Sequence, residues 1–317
     1  MAINTARDGF WGGDGSEAWN GIDTQVKQTI SGLRVAQKVF GAKTLDATSV
    51  PADTFDPTAM TLTEGNTKPF IELAVTFTLT NGQVNNDPSG TAINILAPLA
   101  AKTLALAEDI IFFQGTDATL PSGVTIESGL NSFNGGILKQ IAQPILINAG
   151  TQLPATSSGL EIYYAINNGL NQLLSQGQAN PYSLILSTAA SSVLGASAIN
   201  SIPTITVLQQ SAQTLGLTGG IYGSSALPPN IGLLVATAGN PTTIYIGPND
   251  VTTEPTAKIA SGLQQFRIFE RVQIVAYDTR AFLALDFTNY LPAQAQTPAS
   301  GTPQVQAPAS NASGKGS

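Results

Sequence analysis

The chain has 317 residues, of which 42% are hydrophobic and only 10% are charged, and its net charge at pH 7 is -7. This hydrophobic content can fill a large core, whereas the acidic balance argues against a protein that grips nucleic acid through a broad basic face. The absence of Cys and His excludes disulfides, thiolate nucleophiles and the usual zinc and iron ligand sets, so no metal site is expected.

The low charge content predicts a surface covered mainly by uncharged polar residues. Such a surface tolerates close contact between proteins, because no charge has to be desolvated. Residues 1–15 lack the charged and apolar regions of a secretory signal, and no apolar run is long enough to span a membrane. We therefore expect synthesis in the cytoplasm and no membrane partner.

The segment 19–40 has the periodicity of an amphipathic helix. Its apolar positions are Trp19, Ile22, Val26, Ile30, Leu33 and Phe40. Lys27, Arg34 and Lys38 form a basic stripe beside this apolar face. The stripe is either a solvated helix edge or a strip that faces an anionic partner such as packaged nucleic acid.

Residues 44–68 are polar, contain two prolines and carry only isolated apolar side chains. The apolar residues are Val50, Phe55, Met60 and Leu62. This pattern favours a long projecting hairpin or loop over a core element. After it, strict alternation of apolar and polar residues predicts a strand over 71–79. The apolar spacing of 93–115 then predicts a long helix, which Pro98 either kinks or opens.

The segment from Ile162 to Asn249 contains no Asp, Glu, Lys or Arg. It therefore lacks most of the side chains that perform acid–base catalysis, and we interpret it as built to pack and to associate. Within it, a helix over 162–176, a strand over 183–187 and short apolar runs at 205–208 and 231–237 indicate a compact mixed α/β domain.

Two stretches are predicted to close the fold, a strand over 243–246 and a longer one over 266–277 that continues after a turn as 281–287. Beyond Leu291 the composition changes to Pro, Ala, Gln, Ser and Gly. This tail cannot bury enough apolar surface to offset the entropy of ordering, so a flexible or surface-draped extension is expected.

In this order the elements resemble the encapsulin-type branch of the tailed-phage capsid fold, the Hong Kong 97 fold. The stretches that carry the resemblance are Glu17–Asp23, Pro69–Leu79, Leu104–Gly115, Ile244–Gly247 and Phe266–Arg271 through to Leu285. Together they cover most of residues 17–287 in the family's order. Some encapsulins bind flavin through a Trp after the strand that matches 71–79. Residues 80–84 contain no aromatic side chain, so no cofactor is implied.

The resemblance implies an α+β capsid fold with a defined division of the chain. The division comprises an N-terminal arm and helix (1–43), an extended loop over a neighbouring subunit (44–68), a peripheral domain with a spine helix (69–122), an axial domain (123–242), closing strands of the peripheral domain (243–290) and a flexible tail (291–317). The axial domain would crowd around fivefold or sixfold axes. The implied function is assembly of many copies, as pentamers and possibly hexamers, into an icosahedral shell without catalysis.

Two kinds of shell fit this resemblance. The low charge favours a viral or proviral major capsid protein that encloses DNA in a virion assembled in the host cytoplasm, because neutral interfaces depend little on salt. The alternative is a cytoplasmic encapsulin compartment whose cargo enzymes bind against the N-terminal helix. A remote alternative is a soluble enzyme with a carboxylate-only site, formed by Asp250 and Glu254.

The remaining candidate residues are interpreted as structural or as assembly contacts. Glu108 and Asp109 are adjacent on a helix and diverge by about 100°, so they cannot serve one substrate together. Glu270 and Arg271 lie on opposite faces of a strand, and each is expected to pair with another element or subunit. Lys68 lies at the base of the extended loop, so covalent crosslinking through it is not expected. The assembly or lumen contacts predicted are Lys27, Arg34, Lys38, Phe55, Met60, Lys68, Glu270 and Arg271.

Overall fold

The structure is a computed structural model. It describes residues 5–56, 59–64, 66–86, 90–141, 145–146, 159–248, 250–259 and 262–288. The helices are α1 (Glu17–Leu33), α2 (Val35–Phe40), α3 (Asn81–Asn85), α4 (Thr91–Gln114), α5 (Gly136–Gln140), α6 (Gly159–Ser175), α7 (Thr188–Ala196) and α8 (Thr204–Leu215). The tail beyond 291 and its predicted flexibility lie outside the described residues.

The strands are short except for two. They are β1 (Ala42–Thr44), β2 (Ser49–Pro51), β3 (Thr54–Asp56), β4 (Thr61–Thr63), β5 (Thr67–Pro69), β6 (Ile71–Thr80), β7 (Val124–Ser128), β8 (Ile145–Leu146), β9 (Tyr182–Ser187), β10 (Ala198–Ile199), β11 (Ile202–Pro203), β12 (Gly220–Ser224), β13 (Ile231–Ala236), β14 (Thr242–Ile246), β15 (Thr252–Ile259), β16 (Leu263–Ala276) and β17 (Phe282–Asp286).

The first sheet has the order β1-β14-β16-β6-β7, and β15 also pairs with β16. Its centre is the antiparallel pair β6–β16, which stays in register from Ile71 opposite Val272 to Thr80 opposite Leu263. The apolar face of β6 packs beneath α4, and α1 lies against α4. The buried side chains of α1 are Trp19, Ile22, Val26 and Ile30, as the periodicity predicted.

The second sheet has the order β12-β9-β13-β17-β8. All six residues of β9 are buried, because this strand lies between β12 and β13 and α7 packs against it. Gly169 of α6 allows close contact with the sheet, since an added Cβ would lie 2.7 Å from a Leu234 methyl carbon. This sheet and its helices contain most of the uncharged segment.

The extended loop is built from two antiparallel pairs, β2–β5 at its base and β3–β4 beyond it. The small apolar cluster of Val50, Phe70 and Val275 fixes the base to the first sheet. The predicted projecting hairpin is therefore present as a β-structured loop, and its outer strand β4 is exposed throughout.

Sheet membership differs from the predicted grouping at two places. Residues 124–128, grouped with the axial domain, form β7 and pair with β6 of the first sheet. Residues 282–286, grouped with the closing strands of the peripheral domain, form β17 and pair with β13 of the second sheet. The chain crosses from one sheet to the other between β16 and β17, and no local sequence pattern marks such a crossing.

One predicted helix is divided, and two further features are defined more closely by the structure. The helix predicted over 19–40 is broken at Arg34, whose backbone is extended. The apolar run at 205–208 is part of the 12-residue helix α8. Pro98 lies inside α4 rather than at its start.

Candidate functional site

The subunit exposes ten large apolar side chains among the described residues, seven of them on the extended loop, on α4 and on α6. They are Leu33, Met60, Leu62, Ile95, Leu99, Leu130, Leu160, Tyr164, Leu174 and Ile202. Paired exposed residues four positions apart, such as Ile95 and Leu99, lie on one face of their helix. Grouped apolar exposure on a folded surface is typical of protein–protein contact sites.

The predicted loop contacts are placed as follows. Met60 is 77% exposed in the turn between β3 and β4. The backbone of Phe55 belongs to β3, and its side chain lies outside the described residues. Lys68 lies in β5 with its ammonium group 5.9 Å from the centre of the Phe133 ring, and burial lowers its pKa. The role of these residues in assembly stays a prediction.

The three residues of the predicted basic stripe are not equivalent. Lys27 is exposed, and the Lys38 ammonium donates a hydrogen bond to the carbonyl of Gly32. Arg34 is only 4% exposed and points into the subunit, which corrects its placement on an exposed strip. The cause is the break between α1 and α2, which turns the Arg34 side chain away from the stripe.

Arg34 lies in a buried ion cluster with two glutamates. Its guanidinium pairs with Glu108 of α4, where Nε lies 2.5 Å from Oε2, and with Glu270 of β16. Both glutamates are 1% exposed. Gln37 of α2 donates a hydrogen bond of 2.6 Å to the other oxygen of Glu108. The cluster joins the helical arm, α4 and the first sheet at one point.

Asp109 binds the first turn of α2. Its two carboxylate oxygens accept hydrogen bonds from the backbone N–H groups of Val35 and Ala36, at 2.8 and 2.9 Å. These N–H groups have no partner within the helix, so the carboxylate acts as their cap. Burial raises the pKa of Asp109 to about 7 despite these hydrogen bonds, and burial also raises the pKa of Glu108. Both carboxylates therefore make contacts within the subunit that hold α2 and Arg34 in place.

Glu270 and Arg271 each pair with another element of the same chain. Glu270 binds Arg34, and Arg271 on the opposite face of β16 pairs with Glu72 of β6 at 2.6 Å. Nearby, Arg267 pairs with Glu254 at 2.7 Å and with Glu127 at 2.5 Å.

The two acids of the carboxylate-only alternative are engaged in different places. Glu254 pairs with Arg267, whereas Asp250 lies beside Glu108 at the ion cluster. Within the described part of the chain, no group of three or more acidic, His or Cys side chains has the arrangement of a metal site. None of the helices in the described ranges is long and apolar enough to cross a membrane.

A groove of about 320 Å³ lies next to the ion cluster, between α1, α2 and the segment after β14. It is lined by Lys27, Gln28, Ile30, Ser31, Arg34, Gln37, Ile246, Asp250 and Val251. Its lining combines hydrogen-bonding side chains with apolar ones.

The segment before α1 is fixed to the subunit by Arg7, which is 4% exposed. Its guanidinium pairs with Asp14 at 3.0 Å and Asp23 at 2.8 Å, and its Nε donates to the carbonyl of Thr253. It also lies 4.4 Å from the ring centre of Trp19. The described part of the N-terminal arm before α1 is thus held against α1 and β15.

Comparison with known proteins gives one family match. The model of the family described as "Encapsulating protein for peroxidase" matches residues 15–273. No curated protein sequence matches the chain.

Solved structures share the fold at low sequence identity. A virus-like particle from Pyrococcus furiosus has a TM-score of 0.62 and 15% identity, covering 86% of this chain and 100% of that one. The Mycobacterium phage Ogopogo structure has a TM-score of 0.54 and 13% identity, covering 80% and 91%. The capsid of an empty GTA particle has a TM-score of 0.53 and 16% identity, covering 80% and 89%. These likenesses confirm the predicted Hong Kong 97 fold.

Proposed function

Because this chain belongs to the family of encapsulating shell proteins, we propose that it forms a closed icosahedral compartment around protein cargo in the cytoplasm. Membership of this family by itself identifies the chain as a self-assembling shell protein of the encapsulin and phage-capsid type. The exposed apolar surfaces on the loop, α4 and α6 support self-association, because they lie outside a core that is already complete in one subunit. The shell has no catalytic role in this proposal.

The observation that supports protein, rather than DNA, as the material inside the shell is the burial of Arg34. Neutralising packaged DNA requires several exposed basic side chains. With Arg34 held by Glu108 and Glu270, the stripe retains only Lys27 and Lys38. The groove between α1, α2 and the residues Ile246, Asp250 and Val251 offers instead a surface for a peptide of the cargo, against the N-terminal helix.

A second candidate, a viral or proviral capsid that encloses DNA in a virion, is favoured by composition. Only 10% of the residues are charged. Neutral interfaces keep their strength when salt or pH changes, as a particle outside the cell requires.

Assembly is tested first, by size-exclusion chromatography and negative-stain microscopy of the purified full-length protein. Closed particles of uniform diameter are expected, and a monodisperse monomer would overturn the shell proposal. The material inside the shell is identified in particles purified from the native source. Co-purifying protein, together with a neighbouring peroxidase or ferritin-like gene, supports the compartment. Nuclease-protected DNA together with terminase and portal genes overturns it in favour of the virion.

A further inference from the structure

The turn that leads into α5 contains the pair Asn134–Gly135, in which the asparagine is exposed. In such a pair the backbone nitrogen of the glycine can attack the side-chain carbonyl carbon of the asparagine, because glycine has no Cβ to obstruct the approach. Gly135 has a φ of +75°, a conformation that favours glycine at this position. The turn therefore holds a nucleophile and an electrophile in adjacent residues.

Two side chains from the segment after α4 contact the atoms that would react. The Asp117 carboxylate accepts a hydrogen bond from the backbone N–H of Gly135, with 2.7 Å between Oδ1 and the nitrogen. The Thr116 hydroxyl donates to Oδ1 of Asn134 at 2.8 Å. The first contact is made to the attacking nitrogen, and the second is made to the oxygen that would gain negative charge.

Close packing keeps these groups in one arrangement. Thr116 is 3% exposed, and its backbone N–H donates to the carbonyl of Phe133 at 3.1 Å. A Cβ added at Gly115 would lie 2.2 Å from the backbone nitrogen of Gly135. The turn is thus fixed directly against the end of α4, with its two hydrogen bonds already formed.

The Asp117 carboxylate is suited to accept a proton. The hydrogen bond from the Gly135 N–H lowers the pKa of Asp117, so this group is ionised at neutral pH. A carboxylate is a weak base for an amide N–H, but a base held at hydrogen-bond distance from the proton gains from its fixed position.

We propose that Asn134 is a site of spontaneous deamidation that Asp117 and Thr116 promote. Asp117 takes the proton from the Gly135 nitrogen, and this nitrogen forms a bond with Cγ of Asn134. The negative charge that develops on Oδ1 is stabilised by the Thr116 hydroxyl. The bond between Cγ and Nδ2 then breaks, and the amide nitrogen leaves as ammonia with the proton from Asp117. Water opens the resulting succinimide and leaves aspartate or isoaspartate at position 134.

The change alters the turn in two ways. It adds a negative charge beside Asp117, and isoaspartate also lengthens the backbone by one methylene where the turn packs against Gly115. Both effects weaken the contacts that fix the segment after α4, so old and new subunits differ at this point. The inference goes beyond the proposed shell function and does not depend on it.

The chain provides its own controls for the rate at Asn134. Three other Asn-Gly pairs lie in the helices α1, α3 and α6, namely Asn20–Gly21, Asn81–Gly82 and Asn168–Gly169. The full-length protein is kept at neutral pH, and peptides from successive samples are analysed by mass spectrometry, with enzymatic methylation to identify isoaspartate. Asn134 should deamidate about tenfold faster or more than each of the other three. A rate at Asn134 that is no higher than theirs overturns the proposal.

Substitutions test the two promoting side chains. Asp117→Asn keeps an oxygen that accepts the hydrogen bond but removes the base, and should slow deamidation of Asn134 about tenfold or more. Thr116→Val should also slow it, whereas Thr116→Ser, which keeps the hydroxyl, should stay close to the wild type. Circular dichroism and the rates at the three helical pairs show whether each variant keeps its fold.

A merely structural role of Asp117 predicts the opposite sign. If the carboxylate only held the turn in shape, Asp117→Asn would loosen the turn and deamidation of Asn134 would become faster. A faster or unchanged rate in this variant, with unchanged rates at the helical pairs, overturns the assignment of Asp117 as the base.

Discussion

Removal of the Arg34 guanidinium should strongly destabilise the subunit. In Arg34→Met the apolar part of the side chain is kept, but Glu108 and Glu270, each 1% exposed, lose the only basic partner that they have among the described residues. Breaking a buried ion pair by removing one partner costs about 3 to 5 kcal/mol, because the remaining charge stays buried without compensation. At about 2 to 4 °C per kcal/mol, the midpoint of thermal unfolding should fall by roughly 6 to 20 °C.

The assay is intrinsic tryptophan fluorescence during heating, since Trp19 is fully buried in α1, the helix that ends next to Arg34. Wild type and variant are compared in the same assembly state, checked by light scattering, because association itself raises thermal stability. The matched control is Arg280→Met, which removes an arginine that is 43% exposed and pairs with Asp278. Such pairs contribute about 0 to 1 kcal/mol. Equal effects of the two substitutions would refute the assigned role of the cluster.

Three further outcomes are expected. Because burial raises the pKa of Asp109 from 3.8 to about 7, the folded state binds this proton more tightly than the unfolded chain. As the pH rises from 4 to 7, the free energy of unfolding of the wild type should therefore fall by on the order of 4 kcal/mol relative to that of Asp109→Asn. Urea titrations at several pH values measure this difference, and a difference that does not change with pH contradicts the prediction. Gly115→Ala should destabilise the subunit by about 1 to 3 kcal/mol more than Gly177→Ala. Both glycines have positive φ, but only a Cβ added at position 115 would lie 2.2 Å from a backbone nitrogen. Equal urea midpoints of the two variants contradict this. Asn168→Lys and Gln209→Lys, at exposed positions in the uncharged segment, should leave the circular dichroism spectrum unchanged, and at least one should reduce particle yield at low salt; normal yields from both contradict symmetric contact there.

Local periodicity was sufficient to predict the long elements. The alternation of 71–79 gave β6, and the spacing of 93–115 gave α4, because each element buries one face along its whole length. The strand β15 was missed, since Pro255 and a polar composition hide its pairing with β16.

The ion cluster could not be predicted, because its members are distant in sequence. Apolar spacing continues through Arg34, and the break there depends on Asp109, 74 residues away from the N–H group of Val35 that it binds. The pairing of Arg34 with Glu270 spans 236 residues. A local pattern can show that a carboxylate lies on a buried helix, but the fold determines which cation or N–H group it meets.

The subunit has two halves, one built on the N-terminal region and the first sheet and the other on the second sheet. Each half is stabilised internally by a different kind of interaction. Of the nine ion pairs among the described residues, the eight made by Arg7, Arg34, Arg267 and Arg271 join the N-terminal region and the first sheet. The second sheet relies mainly on hydrophobic packing and neutral hydrogen bonds, such as that from the Tyr182 hydroxyl to the carbonyl of Gln178, and its Asp286 carboxylate is hydrogen-bonded by neutral groups.

This division fits assembly around symmetry axes. Where identical surfaces meet, any charge is repeated in every copy, and equivalent charges brought together repel one another. A half with few charges can therefore be crowded around an axis at little electrostatic cost. The other half can keep ion pairs because Arg34 and Arg267 are neutralised within their own subunit. The uncharged segment is thus better explained by repeated self-contact than by the absence of catalysis alone.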